Sequence, residues 1–351
     1  MEARFDRLLT ASRSRASALS VASRERRRGS DHFNSKLRSS ERGIALIAVL
    51  WVTVLVTVIA SSFAYSMRSE ALAARNTMSL AQARAAADGA IDRTAFELSR
   101  PHTTPEAWNP DGSSHSWTDG DIVITVSAID EASRIDLNTA PDALIKGLLQ
   151  NVGGVDADTA QHLLEAILDW RDADDLKRPN GAEAADYTAA GLKYGPSNAP
   201  FETVGELRRV MGMTTELMNK IAGAITVYSK QQGINITTAP RDVLRALPGA
   251  TPEQVDEFIA ARKDALASGL PLPPFPASNG YANPPSPVWR IHAEARMPDG
   301  VTFARDAVLR QLGDPRRPFL ILAWQVGGLS PKPEPSTTGP DALQKNGTGK
   351  L

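Results

Sequence analysis

The 351-residue sequence predicts an α+β fold: a long N-terminal helix packed on a small antiparallel sheet, with a large α-helical domain inserted between the strands. Three observations predict it. An apolar run from Ile44 to Tyr65 continues without a proline into residues 66–100, which are rich in the strong helix formers Ala, Leu, Arg, Gln and Glu. Alternating, β-branched segments stand near residues 121–130 and again over 288–326. Between those segments lie over 150 residues of mostly helical pattern.

The helix has two parts. Residues 44–65 read IALIAVLWVTVLVTVIASSFAY, and the first charge after them is Arg68. An apolar run of about 20 residues matches the thickness of a bilayer core. Residues 44–65 are therefore expected to cross a membrane. Residues 1–42 carry eleven Lys and Arg against five acids, with Arg24, Arg26, Arg27 and Arg28 the densest group. Basic flanks stay cytoplasmic, so the N-terminus is expected inside and the rest of the chain exported. A cleavable secretory signal is the competing reading. The run is longer than a typical signal core and no A-x-A-like site closes it, although Ala60, Ser61, Ser62 and Ala64 are small. Residues 66–100 continue the helix, with Ala83, Ala87, Ile91, Ala95 and Leu98 forming one apolar stripe. Pro101 ends it.

The first strand is expected over Asp121–Asp130, after the turn residues Asp119-Gly120. Val288–Met297 and Val301–Leu312 alternate about Pro298-Asp299-Gly300 and read as a hairpin. Phe319–Val326 supplies one more strand. Residues 271–287, crowded with seven prolines, read as an extended linker returning the chain to the sheet. Residues 327–351, rich in Pro, Gly, Ser and Thr, read as a disordered tail.

The expected insert, residues 133–270, contains a loose repeat. Ile135-Asp136-Leu137-Asn138-Thr139-Ala140-Pro141 matches Ile234-Asn235-Ile236-Thr237-Thr238-Ala239-Pro240. In each copy a Thr is placed to cap the following helix, with Pro in its first turn. Helical patterns follow both copies, and a third pair fits residues 201–229. These units resemble helix-hairpin-helix modules, which grip nucleic-acid backbones. That resemblance implies an alternative function, a membrane-tethered DNA receptor of the competence type. Charge opposes it: residues 133–270 hold 14 Lys and Arg against 19 Asp and Glu, and phosphate binding needs basic residues. No nucleic-acid partner is expected.

An acidic stretch lies inside the insert: Asp169, Asp172, Asp174 and Asp175, then Asn180-Gly181, Glu183 and Asp186. Clustered carboxylates in a Gly- and Asn-containing loop suit a hard cation, though the spacing is not that of an EF-hand. A solvated loop with helix-capping Asp is the plainer reading of the same residues. Trp170 is expected to anchor this loop against a helix. Trp108, Trp117, Trp289 and Trp324 read as core or interface residues.

Catalytic patterns are missing from the sequence. The five His show no ligand spacing, and no GxSxG, Walker or GxGxxG motif occurs. The absence of cysteine excludes a disulfide framework and a cysteine nucleophile. The chain is not expected to be an enzyme.

Two resemblances sharpen the reading. Glu41-Arg42-Gly43 before an apolar helix resembles the type IV prepilin leader, which implies cleavage by a prepilin peptidase between Gly43 and Ile44 and methylation of the new N-terminus. Most pilins carry Glu at the fifth mature position, which here is Ala48. In that family the Glu pairs with the preceding subunit, so Ala48 implies a subunit at the filament tip, with no predecessor. The phrases IDLNTAP, ILDWRDADD, NGAEAADY, YGPSNAPFETVGELRRVMGM, ITVYS and NITTAPRDVLRALPG, in that order, resemble the K minor pseudopilins of type II secretion systems over about residues 40–312. The resemblance implies a pilin-like core over residues 66–132 and 288–326 around the inserted domain. It implies calcium bound in the insert, with Asp169, Asp172, Asp174, Asp175, Glu183 and Asp186 as candidate ligands. It also implies the minor pseudopilins I and J as partners in a tip complex that primes assembly, with other pseudopilins below it.

Overall fold

The computed structural model describes residues 38–100 and 107–328. Most of the expected leader (1–43) and tail (327–351) lies outside the described residues, at 1–37 and 329–351. In chain order the elements are α1 (Arg38–Ser99), β1 (Asp111–Asp119), β2 (Ile122–Asp130), β3 (Ile135–Asp136), α2 (Asp142–Gly147), α3 (Ala157–Arg171), α4 (Ala184–Ala189), α5 (Thr215–Ile221), β4 (Ile225–Thr226), α6 (Arg241–Arg245), α7 (Pro252–Ala267), β5 (Val288–Arg296), β6 (Thr302–Asp314) and β7 (Arg317–Val326). The fold is mixed, with one long N-terminal helix and an antiparallel sheet of order β1-β2-β5-β6-β7. The chain divides into two compact units, Met1–Ala71 and Leu72–Leu351.

The second unit has two cores. One lies between the C-terminal part of α1 and the sheet. The expected stripe Ala83, Ala87, Ile91, Ala95 and Leu98 is buried there. Alanine at so many of these positions lets the helix approach the sheet closely. Ile124, Val126, Trp289, Ile291, Ala293 and Leu309 meet it. At one side of the stripe Arg305, almost fully buried, donates through Nε to Asp88 Oδ1 at 2.6 Å. Removing Asp88 would strand the buried Arg305 charge.

Sequence periodicity predicts one strand before the insert, and the structure has two. β1 pairs with β2 through a turn at Gly120-Asp121, with Gly120 at φ 57° in the left-handed region glycine favours. Its sequence, DGSSHSWTD, lies at the sheet edge and is mostly exposed. No alternation was needed there, so none is written. The expected hairpin is present as β5 and β6, and β7 pairs with β6.

The second core is built by the insert itself. Three helix–turn–helix steps share one local design. Gly154, Gly212 and Gly249 each sit at positive φ, and two residues later Asp156, Thr214 and Thr251 cap α3, α5 and α7. Glycine reverses the chain without a Cβ penalty, and the cap satisfies the first free N–H groups of the next helix. The repeat also has a shared geometry. Asp136 Oδ1 accepts from Asn138 N–H at 2.9 Å, and Asn235 Oδ1 accepts from Thr237 N–H at 3.1 Å. The expected threonine caps are not made. Pro141 and Pro240 occupy the cap positions of α2 and α6. Thr139 instead donates to the Gln231 carbonyl, and Thr238 pairs with Ser133. The repeat thus ties distant segments together.

Residues 271–287 do more than connect. Phe275 is buried and stacks on Phe258 at 4.5 Å, and Ile234 exchanges backbone hydrogen bonds with Tyr281 and Asn283.

The insert leaves the sheet at Asp130 and returns at Val288, and one carboxylate holds both crossings. Asp130 is fully buried. Its Oδ1 accepts from Ala132 N–H at 2.9 Å and Ser286 Oγ at 2.6 Å, and its Oδ2 from Asn235 Nδ2 at 2.9 Å and Ser286 N–H at 3.1 Å. Beside it Glu131 accepts from Arg290 Nε at 2.7 Å and from Thr226. Asp130→Ala leaves these donors unsatisfied in a buried place. Denaturant unfolding should show a loss of about 3 kcal/mol or more; a loss below about 1 kcal/mol would remove Asp130 from this role.

Candidate functional site

Two features carry chemistry. The first is the apolar part of α1. Every side chain from Ile44 to Met78 is exposed, although no Asp, Glu, Lys or Arg occurs before Arg68. This is the one helix among the described residues long and apolar enough to cross a membrane. Its hydroxyls are satisfied within the helix: Thr53 donates to the Leu50 carbonyl at 2.8 Å, and Thr57 to the Thr53 carbonyl at 2.7 Å. Such pairing suits a medium without water. Gly43 and Ile44 both lie within α1, and Ala48 presents an exposed methyl group five positions into the apolar run.

The second is the acidic cluster. Asp169 and Trp170 are not in a loop, as the sequence suggests, but in the last turn of α3. Trp170 is buried, stacked on Phe201 and tilted against Tyr187. This packing fixes the end of the helix and with it Asp169, which is fully buried. The loop after Asp172 folds back so that Arg178 Nη1 reaches Asp169 Oδ1 at 2.7 Å and also pairs with Asp172 Oδ2. Gly181 lies against the same carboxylate: a Cβ there would stand 1.9 Å from Asp169 Oδ2. Asp174 Oδ1 accepts from Leu176 N–H at 2.9 Å. Asp175 Oδ1 accepts from Asn198 Nδ2 at 2.6 Å.

Glu183, at the cap position of α4, is the outlier. It is 7% exposed, and neither carboxylate oxygen has a partner. Asp172 Oδ1 and Asn198 Oδ1 are also buried without partners. Burial pushes the Glu183 carboxyl above the ordinary carboxylate range, and the negative charges of Asp169, Asp172, Asp175 and Asp174 push the same way. Asp186 belongs elsewhere. Its Oδ1 takes Lys177 Nζ at 2.6 Å and its Oδ2 the Glu183 N–H at 2.9 Å. Lys177 accordingly holds its carboxyl below the ordinary value. The charges of Asp169, Asp172, Asp174 and Asp175 thus all act on Glu183, while Asp186 is engaged with Lys177. Among the described residues, no three His, Asp or Glu side chains are grouped to hold a metal ion.

Comparison with known proteins places this arrangement. The family model for type II secretion system protein K matches residues 126–230, which run from within β2 through the acidic cluster to just past β4. The type II secretion system protein K of Pectobacterium carotovorum subsp. carotovorum is 26% identical over 223 residues, covering 58% of this chain and 68% of its own. That of Klebsiella pneumoniae is 28% identical over 236 residues, covering 61% and 72%. A chain from the crystal structure of the GspK-GspI-GspJ complex of the enterotoxigenic Escherichia coli type 2 secretion system superposes with a TM-score of 0.53 at 18% identity, over 75% of this chain and 99% of that one. Over residues 126–230 the chain is thus similar to type II secretion system protein K, and its fold is that of the solved relative.

Two members of the cluster escape a reading of acidic residues alone. Asn198 is 23 residues beyond Asp175, in the phrase YGPSNAPF; its signal is an Asn able to hold φ 47°. Arg178 was hidden because a cation amid acids reads as surface charge.

Glu183 has a measurable consequence. With its native pKa raised, the native state keeps a proton that the unfolded chain gives up as pH climbs through 4.5. Stability is therefore lost across that window and stays lost above the raised value. In chelator, Glu183→Gln should melt a few degrees above wild type at pH 7, and the gap should close near pH 4. Equal melting at pH 7 would contradict a buried, repelled carboxylate.

Proposed function

We propose that this chain is a type II secretion minor pseudopilin of the K type, at the tip of the pseudopilus, where it primes assembly and supports export of folded proteins across the outer membrane. The observation that carries the proposal is α1. Its first part is apolar and wholly exposed, and its last part is buried against a sheet. A pilin-like subunit needs this division between an anchor and a folded head.

In this reading a prepilin peptidase cuts between Gly43 and Ile44, and the new amine is methylated. The basic flank keeps the N-terminus cytoplasmic and the head is periplasmic. Ala48 supplies no carboxylate to pair with a preceding subunit, and an unpaired carboxylate in lipid is costly. A tip subunit has no need of one. The partners are the minor pseudopilins I and J, supported by the solved relative crystallised as a GspK-GspI-GspJ complex. The three helix pairs are helix-hairpin-helix-like packing units. The DNA-receptor alternative is not favoured, since Glu253 stands beside the Gly249 turn where a phosphate grip would place a base.

Calcium fits the cluster by donor chemistry. All the available donors are hard oxygens, and the buried, partnerless oxygens of Glu183, Asp172 and Asn198 need positive charge. Asp172, Asp174, Asp175, Glu183 and Asn198 would hold the ion, with Asp169 supporting the loop. Bound calcium would neutralise their mutual repulsion and tie the loop after α3 to α4.

Mass spectrometry of the membrane-extracted protein should find a methylated N-terminus at Ile44; an intact leader would sink the assembly reading. Calcium at about 100 times its Kd should stabilise the full chain in detergent by roughly 2.7 kcal/mol. Asp172→Ala and Glu183→Ala should abolish that shift, and a shift that survives both would place the ion elsewhere.

A further inference from the structure

Four carboxylates, Asp169, Asp172, Asp174 and Asp175, act on Glu183, and among the described residues a single base, Arg178, is ion-paired with any of the five. Arg178 pairs with Asp169 and Asp172. The neighbouring bases are engaged elsewhere: Lys177 with Asp186, Arg171 with the Leu137 carbonyl, and Arg209 over the Tyr194 ring at 4.7 Å. Arg178 takes Asp172 Oδ2 and leaves Oδ1 of the same carboxylate buried and bare. One guanidinium charge thus covers one side of the cluster and leaves the Glu183 side uncompensated.

We propose that Arg178 is a built-in competitor for the divalent cation, neutralising Asp169 and Asp172 until calcium displaces it from Asp172. This rests on the calcium reading above. Asp172 cannot turn both oxygens to a cation while Oδ2 is held by the guanidinium. Asp169 is fully buried on α3 and stays in place, whereas the Arg178 side chain is 35% exposed and has a route to solvent. The displaced partner is therefore the arginine. Competition of this kind is reciprocal: whatever Arg178 contributes to the cation-free loop is subtracted from calcium affinity. The loop stays assembled without the ion, and the calcium concentration at which it changes state is raised.

The test is calcium titration of the full chain in detergent, followed by calorimetry. Arg178→Gln should bind calcium about ten-fold more tightly than wild type and melt lower in chelator. Arg178→Lys, which keeps the charge without the fork, should fall between the two. Labelling of wild type with an arginine-directed dicarbonyl needs no variant. Modification at Arg178, read by mass spectrometry, should rise when calcium is added, the reverse of ordinary ligand protection. Equal calcium affinity in wild type and Arg178→Gln, or protection of Arg178 by calcium, would overturn the competition and leave the calcium site standing. No calcium binding by wild type or variant would overturn both. Binding by the variant alone would support competition in its strongest form.

Discussion

The architecture turns on the buried carboxylate of Asp130. The chain passes from sheet to insert at this residue and comes back at Ser286–Val288, after more than 150 residues. Bringing the ends of a long connection together carries an entropic cost, although one that grows only slowly with length. Asp130 meets it with a compact clamp: the outgoing turn through Ala132, the returning strand through Ser286 and the second repeat through Asn235. Glu131, Arg290 and Thr226 extend the clamp to β4 and β5. A buried ion is a poor source of net stability, but its removal is heavily penalised. Such a group fixes where the two cores join rather than how stable each one is.

Each core then keeps its own logic. The sheet core uses alanines on α1 to bring helix and strands close, and Arg305–Asp88 fixes the helix rotation at one side. The insert core uses repeated glycine turns and capping side chains, so that short helices stack without long connections. The acidic cluster belongs to the insert core alone. It is positioned by α3, whose Trp170 packs with Phe201 and Tyr187, and closed by Gly181 against Asp169. The close approach at Gly181 leaves no room for a side chain, so the loop can return to α4 only along this path.

Much of this was legible in the sequence where burial imposes a period. The α1 stripe, β2, and the β5–β6 hairpin each bury one face, and each writes that face as a repeat of apolar residues. β1 buries almost nothing, and its polar, hydroxyl-rich sequence carried no signal. The threonines of the two TAP repeats have the composition of helix caps but are recruited by tertiary partners, Gln231 and Ser133. Local propensity is a weak guide where a side chain has a distant, buried partner. The cluster divided in the same way. Acidic spacing picked out six residues; four of them, Asp169, Asp172, Asp174 and Asp175, act electrostatically on a fifth, Glu183, but Asp186 was captured by a lysine nearby in the loop, and Asn198 entered from a separate segment.

The cluster also shows why composition alone misjudges a charged loop. Counting acids makes the segment look uniformly negative and solvated. In three dimensions one arginine and one lysine divide it into a compensated side and an uncompensated side. The arginine holds Asp169 and Asp172, the lysine holds Asp186, and Glu183 is left between them, buried and without a donor. A protein interior tolerates an unpaired carboxylate poorly, by several kcal/mol if it stays ionised. It retains one where something else is to meet it, or where it holds a proton. The raised pKa of Glu183 is the second alternative, and the cation capture proposed above would be the first. In that proposal proton and cation compete for one electrostatic deficit, so a condition that favours one would weaken the other.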